Sequence, residues 1–228
     1  MNTNTAELLK NEISAFRKGG KRYKDEYSNL KSIDDEKTID AAVELAYHDA
    51  QRTMRGISKS DEDQKRKRNA LNQIKLELFK YFTCSKEPTI DQASKFDEKH
   101  KELCDIWCNE FNNDFGTYGK AQKIINMSFK YLFCCDDAPG MVENSKYKEH
   151  FEYCHMPLDS FTLIWYKRNV DKEKKDYTWS KINYEEYIGI QKNIRDYLNE
   201  SEDELSPLQK EFIVWSQKKL TTEEFYLG

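Results

Sequence analysis

An all-α fold, built as one compact multi-helix domain, is what this sequence predicts, and three observations predict it. Glycine (8) and proline (4) are scarce in 228 residues, whereas sandwiches and barrels need the turns that those residues make. Apolar residues recur at three- and four-residue spacing along most of the chain, the period of a helix with one buried face. No alternating run flanked by a hairpin turn signal is present. A charged fraction of 34% and a mean hydropathy of -0.94 make the chain polar, but 14 Tyr and 12 Phe supply the apolar area that a core needs.

The elements follow in order. Leu8, Leu9, Ile13 and Phe16 mark a first helix from Thr5 to Phe16, ended by Gly19-Gly20. Asp34 or Asp35 caps the next, which runs through Ile39, Ala42, Val43, Ala46, Tyr47 and Met54 to about Gly56. Ser60-Asp61 restarts the chain, and Leu71, Ile74, Leu78, Phe79 and Phe82 form the following stripe. After Pro88, the residues from Ile90 to Phe115 read as helix through Phe96, Leu103, Ile106, Trp107 and Phe111. Gly116-Thr117-Tyr118-Gly119 is a tight connection into a helix from Lys120 to Cys135. Residues 136–150 read as a surface loop with room for a short helix. Pro157 opens a short apolar helix, 169–176 is a solvated charged link, and Ser180 to Leu198 forms another helix. Ser206-Pro207 starts the last one, a cap followed by proline at the first helical position. Within a single domain over 1–228, residues 1–85 read as an N-terminal helical lobe and 86–228 as the part that carries function.

The net charge is -4, which argues against a surface coated in positive charge. The charge is uneven, with a basic excess over 52–82 and an acidic one over 196–228. The run DQKRKRNALNQIK can neutralise phosphates, or it can be paired inside its own helix after the preceding acidic residues. MNTNTAELLKNEISAF has no signal-peptide pattern, and no run of about 18 apolar residues exists. The expectation is a soluble cytoplasmic protein without membrane contact, its six Cys reduced. Cys104 and Cys108 share a helix face, but with Cys134, Cys135, Cys154 and His155 they match no metal signature, so neither metal nor cofactor is expected.

Two segments carry candidate chemistry. In FGTYGKAQKIINMSFKYL a glycine-bracketed turn leads straight into a helix, whose first N–H groups and positive dipole end suit a phosphate. Gly116, Gly119 and Lys120 are the candidate nucleic-acid contacts there, and an αα-hairpin with a solvated basic edge is the plainer reading. In CHMPLDSFTL, Asp159 falls in the first turn if Pro157 begins the helix. There it is held ionised as a charge stabiliser or base, or it simply caps the helix. His155 beside it titrates in the range that proton transfer needs, and it is equally a structural histidine.

This order of features resembles the helix-hairpin-helix DNA glycosylases, most nearly the archaeal 8-oxoguanine branch. It comprises a glycine turn, a helix carrying lysine, a loop, then Pro-Leu-Asp at a helix start. The resemblance covers roughly residues 111–166, with GTYG in place of the compact glycine hairpin. It implies Lys123 as nucleophile, with Lys120 as the competing lysine, and Asp159 as the catalytic carboxylate. A desolvated lysine attacks the sugar C1′ as an amine, the carboxylate stabilises the developing oxocarbenium charge, and the damaged nucleotide is flipped out of the stack. Trp107, Tyr118, Phe129 and Trp165 are candidates by position to hold the base, or else core aromatics. GKAQK, HMPLD, TWSKI, EEY and EFIVW are similar to an uncharacterised family of bacterial proteins, which names no activity. The functional expectation is therefore a DNA glycosylase/lyase-like enzyme with DNA as partner. The alternative is a non-catalytic helical protein that binds another protein or nucleic acid.

Overall fold

Asp35, Ser60 and Ser206 cap the helices whose starts they predict, whereas the helix expected from Ser180 begins at Tyr184, because Ser180 lies in a 3₁₀ turn and Asn183 is the cap. Asp35 accepts the Lys37 N–H at the entry to a helix over Glu36–Gln51. Ser60 accepts the Asp63 N–H, and the acidic triple Asp61–Asp63 lies on the positive dipole end of Asp61–Thr83. Asn183 and Glu186 close a capping box at Tyr184–Asn199, and Ser206 and Gln209 close another at Pro207–Ser216, with the proline in the first turn.

The computed structural model describes residues 3–18, 28–51, 57, 60–84, 93–111, 115–171, 173, 175–201 and 204–217. Among these the chain is helical, with no strand. The helices are α1 (Thr3–Lys18), α2 (Glu36–Gln51), α3 (Asp61–Thr83), α4 (Ala93–Glu110), α5 (Tyr118–Phe133), α6 (Lys148–Phe151), α7 (Ser160–Asn169), α8 (Tyr184–Asn199) and α9 (Pro207–Ser216). A 3₁₀ turn, Trp179–Lys181, precedes α8. The breaks expected at Gly19-Gly20, Gly56 and Pro88 lie outside the described residues. No described helix is long and apolar enough to cross a membrane.

The domain is organised around α5, all sixteen residues of which are buried. α2 lies along it, α4 packs against it, and α3 braces α2 and α4 from outside. The 3₁₀ turn and α8 cover its start, while α1, α7 and α8 pack on α9. Ring contacts cross residue 85 freely: Tyr47 meets Trp107 at 6.0 Å and Tyr81 meets Phe129 at 5.7 Å. One hydrophobic core thus takes residues from both the proposed N-terminal lobe and the rest of the chain.

The basic run of α3 is largely paired inside the fold. Arg66 contacts Glu62 at 2.6 Å one turn away, Lys75 contacts Glu44 of α2 at 2.7 Å, and Lys67 lies over the Tyr47 ring. Cys104, Cys134, Cys135 and Cys154 are free thiols in the core, and burial pushes each of them up from the usual thiol value. No group of three His, Cys, Asp or Glu suited to a metal ion occurs among the described residues.

Candidate functional site

The start of α5 is fixed by close backbone contact. A Cβ on Gly119 would stand 1.9 Å from the Trp179 carbonyl oxygen, and one on Gly116 would stand 1.6 Å from that of Phe111. Only glycine admits such approaches. The Gly119 N–H donates to the Ile182 carbonyl at 3.1 Å, and the Thr117 hydroxyl donates to the Ser180 carbonyl at 2.7 Å. The Lys120 N–H turns back to the Thr117 carbonyl, and its ammonium lies 5.1 Å from the centre of the Phe115 ring. Two of the N–H groups that a phosphate would use are therefore already bonded to protein carbonyls.

One turn further along, Lys123 Nζ lies 2.8 Å from Asp159 Oδ2. The pair joins α5 to the entry of α7 across 36 residues, with side chains only 10% and 13% exposed. Pro157 does not begin α7, as the sequence pattern allows; the helix starts at Ser160 and Asp159 is its N-cap. Asp159 Oδ1 accepts the N–H groups of Phe161 (2.9 Å) and Thr162 (3.0 Å), leaving Oδ2 for the lysine. The Thr162 hydroxyl in turn accepts the Asp159 N–H at 2.8 Å. Burial pushes the Asp159 carboxyl up, but the Lys123 ammonium and the two backbone donors outweigh it, and the net shift is below the usual aspartate value. Capping and pairing with lysine are thus both done by this one carboxylate, an oxygen each.

The chain leading to Asp159 is held residue by residue. The Gln122 side chain donates to the Leu158 carbonyl at 2.8 Å and accepts the Leu158 N–H at 3.1 Å. Gln191 of α8 does the same for Met156, at 2.7 and 3.1 Å. These two amides satisfy an irregular backbone that runs through the core without ladder partners. His155 is pinned by its side chain, with Nε2 2.7 Å from Asp97 Oδ1 and Nδ1 2.9 Å from the Tyr187 hydroxyl. Arg195 grips Asp97 with two contacts of 2.7 Å.

One assignment of protons, with the Arg195 N–H groups turned to Asp97 although Nη1 also lies 3.1 Å from His155 Nε2, satisfies the chain of contacts from Tyr118 to Asp97. The Tyr118 hydroxyl donates to His100 Nδ1 (3.2 Å), and His100 Nε2–H donates to Asn126 Oδ1 (2.9 Å). The Asn126 amide donates to Gln122 Oε1 (2.9 Å) and to the Tyr187 oxygen (2.8 Å). Tyr187 then donates to His155 Nδ1, and His155 Nε2–H donates to Asp97. Both imidazoles are neutral in this scheme. Burial lowers His100 and His155 from the usual histidine value, in the same direction. Asp97, pushed up by burial, is held well below the usual carboxylate range by His155 and Arg195.

A second buried charge pair lies on the same face of α5, two turns on. The Lys130 ammonium touches the Glu211 carboxylate of α9, whose side chain is 0% exposed, and sits over the rings of Phe16 and Phe212. Among the described residues no hydrogen-bond donor is aligned on either Glu211 oxygen. Burial pushes the Glu211 carboxyl up more than Lys130 and Lys123 draw it down.

Of the residues singled out in the sequence, Lys123 and Asp159 come into direct contact, while His155 is committed to Asp97 and Tyr187. Gly116, Gly119 and Lys120 gather at the start of α5. Trp107 and Phe129 are fully buried and Tyr118 nearly so, which makes them core; Trp165 is half-buried against Tyr197. Sequence reasoning missed Gln122, Asn126, Gln191, Asp97, Arg195, Lys130 and Glu211. One signal was available: Gln122, Asn126 and Lys130 interrupt a helix that is apolar on several faces, and polar residues in a buried helix need partners.

The fold and site together define a class by structure alone, an all-helical protein with a lysine–aspartate pair buried between its central helix and a capped helix start. No family model, curated protein or solved structure matches the chain.

Proposed function

We propose that this protein is a DNA glycosylase/lyase-like enzyme acting on a damaged base, with Lys123 as nucleophile and Asp159 as the charge-stabilising carboxylate. The observation that carries the reading is the 2.8 Å contact between Lys123 Nζ and Asp159 Oδ2. A nucleophile and a carboxylate that serve one sugar need to share a site.

The chemistry follows from the pair. As the sugar parts it from Asp159, the Lys123 ammonium gives a proton to solvent; its lone pair then attacks C1′, and the bond from C1′ to the base breaks with its electron pair leaving on the base. The proton shed by the nitrogen balances the charge carried off. Asp159, kept ionised by its cap bonds, faces the positive charge that develops on the sugar. The C1′–O4′ ring bond then breaks as the remaining N–H proton passes to O4′, and the imine so formed is what a lyase step would resolve. α4, the turn at Gly116 and α5 stand as the hairpin in this reading, with Lys120 buried there and its ammonium over the Phe115 ring.

The test is borohydride trapping on duplexes that carry an abasic site or an oxidised base. Wild type is expected to give a covalent adduct, and Lys123→Gln none. Absence of an adduct on every damaged substrate overturns the reading. Duplex binding with a steep salt dependence but no adduct would then indicate a nucleic-acid-binding module. No DNA affinity at all would indicate a helical protein-interaction role.

A further inference from the structure

We propose that Gln122 is a positioning residue that sets the geometry of the Lys123–Asp159 pair by clamping the backbone of Leu158. The inference rests on the functional reading above only where catalysis is concerned; the positioning itself is a statement about the fold.

The clamp and the pair are adjacent in both chain segments. Gln122 precedes Lys123, and Leu158 precedes Asp159. The Gln122 amide takes both backbone groups of Leu158, at 2.8 and 3.1 Å, so the two chain segments are locked together one residue before the paired side chains. The amide is held in turn from both sides: Nε2 also donates to the Gly119 carbonyl at 2.9 Å, and Oε1 also accepts from Asn126 at 2.9 Å. Gln122 is fully buried, so water does not compete for these bonds. Asn126 connects the clamp to Tyr187 and His100, and Tyr187 connects it to His155. A reacting pair placed by side chains whose own positions are determined is what preorganisation requires, and small misplacements are costly to rate.

Gln191 supplies a control within the same molecule. It clamps Met156 through the same two bonds, and it too is fully buried. Met156 lies three residues before Asp159, so losing this clamp disturbs the same segment without touching the join beside the pair. A purely structural role predicts equal consequences for the two glutamines; a positioning role predicts different ones.

The experiment compares Gln122→Asn and Gln191→Asn, each of which keeps the amide but shortens its reach. The Asp159 carboxyl is followed by ¹³C NMR in aspartate-labelled protein, assigned by its loss in Asp159→Asn. Borohydride trapping is measured in parallel. In Gln122→Asn the Asp159 titration should move up towards the ordinary aspartate value as Lys123 is displaced, and trapping should fall on the order of 100-fold. In Gln191→Asn melting should fall by a similar amount while the Asp159 titration stays at its wild-type position. If Gln122→Asn does not fold, Gln122→Met, of equal length but without the amide, carries the same expectation. An unmoved Asp159 titration in the Gln122 variant, or equal movement in both variants, overturns the proposal. Failure of wild type to form any adduct counts against the enzymatic reading alone and leaves the titration to decide the positioning.

Discussion

Lys130 and Glu211 place opposite charges where neither meets bulk water, in a contact that lacks aligned hydrogen bonds on the carboxylate. Such a pair is costly to break and inexpensive to replace whole. Lys130→Met alone should lower stability by about 3–5 kcal/mol, because it strands a buried carboxylate, and adding Glu211→Leu should recover most of that loss. Denaturant titration of the single and double variants checks both. At Asp159 the two oxygens separate two roles. Asp159→Asn keeps an oxygen for the cap but takes the charge partner from the nearly buried Lys123 ammonium, so it should lose about 1–3 kcal/mol and form no trapped adduct, whereas Asp159→Ala loses the cap as well and should fall further. Lys123 and Asp159 were legible in the sequence because each stands in a local pattern, a lysine one turn into a helix and an acid just before one. Asp97 and Arg195 were not, since their partners lie 58 and 98 residues away and no spacing rule links them.

The helices were legible for a local reason: two starts are written in Ser60 and Ser206-Pro207, whereas the pattern starts the next-to-last helix at Ser180, three residues ahead of the capping box of Asn183 and Glu186. What those patterns could not reveal is that α5 is covered on every side. Ile125, Phe129, Leu132 and Phe133 suggest a single buried stripe, and the burial of Gln122, Asn126 and Lys130 beside it depends on Leu158, Tyr187 of α8 and Glu211 of α9 supplying their partners. The entry of α7 was displaced for a similar reason, as Pro157 belongs to the clamped segment and the cap at Asp159 starts the helix. Gly119 seats the start of α5 against the 3₁₀ turn. A methyl there meets the Trp179 carbonyl, so Gly119→Ala should part α5 from the 3₁₀ turn and destabilise by about 1–3 kcal/mol, read from thermal unfolding.

At the scale of the molecule, the buried histidines tie stability to pH: His100 and His155 in the polar network, and His150 at the end of α6 against the Tyr81 and Phe82 rings. His100, His150 and His155 all have folded values below the ordinary 6.5. The unfolded chain therefore binds protons that the native protein does not, and stability declines as pH falls below that value. Asp97 and Asp159, depressed below the ordinary 3.8, extend the loss into stronger acid. Glu211 acts oppositely, because its folded value is raised above 4.5 and the stability it lends is lost as pH rises. Three histidines against one glutamate leave a net decline, and the melting temperature should drop from about pH 8 to about pH 5. A single core across residues 1–85 and 86–228 makes this one cooperative transition.

The central claim concerns a single nitrogen, and the most direct measurement is the mass-spectrometric location of the borohydride-trapped DNA fragment after proteolysis of the wild-type adduct. The account predicts a reduced sugar remnant on Lys123. A remnant on Lys120 or any other lysine, or no remnant on any damaged duplex, would contradict it.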